Sequence, residues 1–110
     1  MIKVTISRNA NKQIYGFTMS GHAEFSEHGK DLVCAGASAV SFGTLNAIHS
    51  ITGVTPVIKQ GGDGGYLRCE IPENVDLSAL EQIHLLLEGM VVSLKTIELD
   101  YSKYIKINDN

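Results

Sequence analysis

The feature that most limits what this chain can become is the apolar period of its C-terminal third. Leu77, Leu80, Ile83, Leu87, Met90, Val91, Leu94 and Ile97 recur at intervals of three and four, which places them on one side of a long α-helix. A stripe of that length is costly to leave in water, so the remainder of the chain must supply a surface to cover it. Leu85, Leu86, Val92 and Leu99 widen the stripe beyond one seam. That extra width belongs either to a broad core or to an interface with a second copy, because large exposed apolar patches mark association.

The covering surface is legible upstream. Ile2, Val4 and Ile6 alternate with Lys3, Thr5 and Ser7, the period of a half-buried strand. "NANK" at 9–12 reads as a turn, and Tyr15, Phe17 and Met19 alternate again, which completes a hairpin. Residues 22–33 read as a polar loop containing Gly29. From Cys34 to Ile51 the chain is small and apolar with almost no charge, the composition of a buried helix in close contact with its neighbours. Residues 54–60 and 66–72 then predict two strands joined by "GGDGG" at 61–65, and 104–107 predict a short closing strand. The order ββαββαβ predicts an α/β fold, one domain over residues 1–110, with a mixed sheet packed against two helices.

Composition narrows the function classes. The chain has 110 residues, 44% hydrophobic and 19% charged, enough for a core without staples. A net charge of −3 without any basic run argues against nucleic acid as a direct partner. The N-terminus alternates instead of forming a secretory apolar region, and no uninterrupted apolar run reaches the roughly 18 residues of a membrane span. A cytoplasmic protein with no membrane partner is expected. Its two cysteines, Cys34 and Cys69, would there stay reduced and open to thiol chemistry.

Cys34 reads as the residue where the loop becomes a helix, in "DLVCAGAS". Unpaired N–H groups and the positive end of the helix dipole favour a thiolate at such a position. Packing as a small buried hydrophobe is the competing reading. His22 follows Gly21 at the end of the second strand. If strand and helix are neighbours, imidazole and thiol form a base and nucleophile pair. Otherwise His22 is a surface or capping residue. Asp31 either orients the imidazole, holds the loop, or is an acid favoured ahead of a helix. Ser38 lies one turn beyond Cys34 on the same helix face, as a site hydroxyl or as a small residue for close packing. The N–H groups of Cys34 and Ala35 suggest an oxyanion hole.

Other residues carry less. His22, His28 and Cys34 raise a zinc site, but the tight ligand pairs of such sites are missing, and Cys69 shares a strand face with Leu67 and Ile71. His49 and His84 read as structural or solvated. "GGDGG" lacks the ending of a phosphate loop and reads as a hairpin turn.

Taken together, "GHA" at 21–23, "GKDLVCA" at 29–35 and Ser38 resemble the signature of the ribosomal-processing cysteine protease family, Prp. The likeness extends over most of the chain, through "SAVSFGTLNAI" in the first helix, the "GG" turn before a strand and "MVVSLKTIELDY" in the second helix. The resemblance implies an endopeptidase of Bacillota-type bacteria that trims the N-terminal extension of a large-subunit ribosomal protein, number twenty-seven, after an aromatic or other apolar residue. It implies Cys34 as nucleophile, His22 as base, Asp31 and Ser38 in assisting roles, a homodimer, and no cofactor. It further implies that residues 23–33 close over the substrate. A non-enzymatic module that docks a ribosomal protein or peptide is the alternative.

Overall fold

The structure, a computed structural model, describes residues 1–21, 27–61 and 65–109, and the side chains of 27–31 stand outside that description. Seven elements follow in the expected order: β1 (Ile2–Arg8), β2 (Ile14–Ser20), α1 (Glu27–Thr52), β3 (Val57–Gln60), β4 (Tyr66–Glu70), α2 (Leu77–Tyr101) and β5 (Ile105–Asp109). The strands form one five-stranded sheet in the order β3-β4-β2-β1-β5. β1 pairs antiparallel with β2 and parallel with β5, while β4 pairs antiparallel with both β2 and β3. The predicted mixed sheet with two helices is therefore the observed fold.

Alternation explains which face is covered. Ile2, Val4 and Ile6 are buried while Lys3 and Thr5 are exposed. The buried set joins Phe17, Leu67 and Cys69 under Val33, Ala37 and Leu45 of α1 and Ile83, Leu87 and Leu94 of α2. Both helices thus lie on one face and pack on each other. A Cβ at Gly36 would lie 3.6 Å from Cδ1 of Ile97, so the N-terminal half of α1 runs beside the C-terminal half of α2. By length and composition alone each helix could cross a membrane. Here their inner faces are part of the core.

α1 departs from expectation. It begins at Glu27, not at Cys34, so 27–33 is helix where a loop was read; 22–26 lie outside the described residues. Gly29 argued for a loop, at a cost of about 1 kcal/mol relative to alanine in a helix. Once Val33 and Ala37 are anchored in the core, however, extending the helix needs no new nucleus. β3 also starts later than read. Gly53 has φ +75° and donates its N–H to the His49 carbonyl at 2.9 Å, so 53–55 complete the helix terminus.

Arg8 fastens β1 to α2 and β5. Its guanidinium donates to both carboxylate oxygens of Glu88, at 2.7 and 2.9 Å, and to both of Asp109, at 2.7 and 3.0 Å. These hydrogen bonds hold both carboxyl groups below their ordinary values. A depressed carboxylate contributes stability above its unfolded pKa, about 4 for either residue, and loses it as pH falls through the lower folded value. The melting temperature of the wild type is therefore expected to fall below about pH 4. In Arg8→Met the acid-side fall should be shallower, as read by calorimetry across pH 7 to 3.

Candidate active site

A cavity of about 150 Å³ opens where four strand ends meet α1. Helix α1 contributes Cys34, Ala37, Ser38 and Phe42, and the sheet contributes Ile2, Met19, Gly21, Gln60, Gly65, Tyr66 and Leu67. Cys34 and Ser38 are four residues apart in α1, so the helical period turns both toward the same space. Cys34 is half-buried and free, Ser38 is exposed, and the expectation that they share a face holds.

Met19 lines the opening, and its sulfur lies 4.0 Å from Oγ of Ser41, a fully buried serine. Phe42 and Tyr66, 38% and 44% exposed, leave aromatic rings at the rim. A cavity of this character accepts an apolar side chain while the polar edge stays wet.

The strand ends are held by glycines. The Gly21 N–H donates to the Gly65 carbonyl at 2.9 Å, carrying the β2–β4 ladder one step past Ser20. Gly21 has φ +88°, and a Cβ there would collide with the Met1 carbonyl oxygen. Only glycine turns the chain at this point without strain.

His22 lies outside the described residues, as does the side chain of Asp31. His22 is nonetheless bonded to Gly21, which lines the cavity containing Cys34. Asp31 sits in α1 three residues ahead of Cys34.

One expectation is corrected. Cys34 is about two turns inside α1 rather than at its start. The dipole acts within the first turn, and the unpaired N–H groups are the first four of the helix. The amides of Cys34 and Ala35 belong to the helical ladder and are no oxyanion hole.

Cys69 is 2% exposed beneath the helices, and burial pushes its thiol up to about 11. That position removes it as a ligand for a zinc site with His22 and His28. His49 places Nδ1 3.1 Å from the Thr55 hydroxyl at the end of α1, and half-buried His84 is near Glu88 on α2.

Sequence reading missed Met19, Phe42, Gln60 and Tyr66 as site residues. Tyr66, an aromatic directly after a glycine run, carried a weak signal, but only the folded hairpin sets it across from α1. Iodoacetamide at neutral pH is expected to label Cys34 at least about a hundredfold faster than Cys69 in the native protein. Peptide mapping by mass spectrometry checks this, and equal rates would contradict the described cavity.

Sequence comparison defines the class to which this accessible thiol belongs. The family model of cysteine protease Prp matches residues 1–106, and the chain is a cysteine endopeptidase. It is 49% identical over 110 residues to the ribosomal processing cysteine protease Prp of Bacillus subtilis strain 168, covering 100% of this chain and 98% of that one. Two solved structures of the essential ribosomal processing protease Prp from S. aureus cover 98% of each chain. One, with a covalently linked product peptide, matches with TM-score 0.85 at 40% identity. The other, with a substrate peptide, matches with TM-score 0.84 at 38%. This chain belongs to the cysteine protease Prp family.

Proposed function

We propose that this protein removes the N-terminal extension of a large-subunit ribosomal protein precursor, number twenty-seven, through a Cys34–His22 dyad and an acyl-enzyme. Kinship to proteases named for ribosomal processing supports the substrate class. The observation that carries the chemistry is that Cys34, rather than buried Cys69, opens on the cleft that Gly21 also lines, and Gly21 passes the chain directly to His22.

In this reading His22 takes the thiol proton and the Cys34 thiolate attacks the scissile carbonyl. The imidazolium then protonates the leaving amine, and water releases the acyl group with His22 as base. Ser38 offers its hydroxyl to the substrate from the next turn of α1. Asp31 orients the imidazole. The apolar wall formed by Met19, Phe42 and Tyr66 takes the aromatic or aliphatic residue on the acyl side. No cofactor is required, and the proposed location is the cytoplasm, where the thiol stays reduced. Incubation with the extended precursor, followed by mass measurement of the products, tests the reading; an intact precursor would refute it.

We also infer a homodimer through α2. Leu85, Val92 and Leu99 are 75%, 65% and 83% exposed and recur at heptad spacing along the side of α2 away from the core. A second copy covers that stripe with its own. Val92→Glu is expected to halve the mass in sedimentation equilibrium, and an unchanged mass would place the interface elsewhere.

A further inference from the structure

β3 is an edge strand whose hydrogen-bonding pattern has a definite polarity. Among the described residues it pairs with β4 alone, and all four of its residues are exposed. The register sets Ile58 opposite Cys69 and Gln60 opposite Leu67. The Gly61 N–H donates to the Tyr66 carbonyl at 3.0 Å, so that pair is hydrogen-bonded. Pairs alternate along an antiparallel ladder. Lys59 and Val57 therefore turn their backbone groups toward β4, while Ile58 and Gln60 turn theirs to the open side.

Natural edges are protected by proline, bulges or dense charge. β3 carries only Lys59 as a charge and leaves Val57 and Ile58 46% and 41% exposed. The side chains of Ile58 and Gln60 share the face of Cys69 and Leu67, the face beneath the helices. Gln60 also lines the cavity that contains Cys34. Pro56, at the same outward-facing parity, closes the start of this edge. Beyond it, among the described residues, outward donors and acceptors at Ile58 and Gln60 run directly into the candidate active site.

We propose that the free edge of β3 receives the extended backbone of the substrate peptide as an added strand. This rests on the protease reading above. The peptide pairs with the N–H and C=O groups of Ile58 and Gln60, which aligns it with its scissile bond over Cys34. Main-chain pairing of this kind supplies affinity, and alternate side chains supply selectivity. The four residues of β3 span roughly 13 Å, so about four substrate residues on one side of the scissile bond are engaged. Selectivity for an extended, unfolded terminus follows, because a peptide already within a sheet or helix has no backbone groups to offer.

The test separates this claim from the protease assignment because its first measurement needs no cleavage. Cys34→Ala protein is mixed with a peptide of about ten residues spanning the aromatic cleavage region of the precursor extension. Amide exchange at Ile58 and Gln60 is expected to slow at least about tenfold, with Lys59, already bonded to β4, little changed. Unchanged exchange at Ile58 and Gln60 up to the solubility limit of the peptide overturns the proposal, even if the wild type cleaves the precursor. Slowing that appears on concentrating the protein without peptide assigns the edge to a second copy and also overturns it. The second measurement uses Ile58→Pro, which deletes an outward N–H and leaves the β4 ladder intact. kcat/KM for the long peptide is expected to fall about tenfold, with alkylation of Cys34 by iodoacetamide unchanged. A folded variant with wild-type kcat/KM refutes the pairing.

Discussion

Cys34→Ala is expected to lower turnover of the precursor by at least about 10⁴-fold, the scale seen when a covalent nucleophile is removed. Stability should change by less than about 1 kcal/mol, because Cys34 is half-buried in α1 and alanine is the most favourable helix residue. Cys69→Ala is expected to do the reverse. Its thiol fills space beneath the helices at 2% exposure, so truncation leaves a small void and costs roughly 1–2 kcal/mol, with turnover retained. Mass analysis of the product and calorimetry of both variants separate chemistry from packing. Continued cleavage by Cys34→Ala would end the proposed mechanism.

Gly21→Ala has the second largest expected effect, and it acts on both axes. A non-glycine residue at φ +88° carries backbone strain, and the new Cβ also meets the Met1 carbonyl oxygen. The two together are expected to cost roughly 2–4 kcal/mol. The exit of β2 must shift, and His22 shifts with it. A displacement near 1 Å is enough to lower kcat/KM by about a hundredfold. Gly43→Ala is the control: it lies in α1 with nothing within 4 Å of the added Cβ, and is expected to be neutral or stabilising by up to about 1 kcal/mol. Wild-type melting and turnover in Gly21→Ala would show that this turn does not aim the histidine.

Particular residues show how far local pattern reached. The alternation of Ile2, Val4 and Ile6 and the stripe through Ile83, Leu87 and Leu94 are signals written within a few residues, and both became the core. The cavity partnership of Cys34 and Ser38 was legible for the same reason, since helical period is local. The start of α1 was not. Gly29 and the charges of 27–31 favoured a loop, and the outcome depended on how firmly Val33 and Ala37 were held by the sheet. That error carried the oxyanion reading with it, because both dipole and free amides depend on where a helix begins.

What the chain determined by itself was the order and type of its elements, a cysteine and a serine one turn apart on the first helix, and an apolar surplus on α2. Each follows from spacing between near neighbours. The tertiary structure alone decided that β4 would lie between β2 and β3, bringing Gln60 and Tyr66 to the cavity that Cys34 lines, and that β3 would be the edge strand of the sheet beside them. Strand order joins residues far apart in sequence through hydrogen bonds that any backbone can make. No local pattern names the partner, and only the packing of both helices on one face selects it.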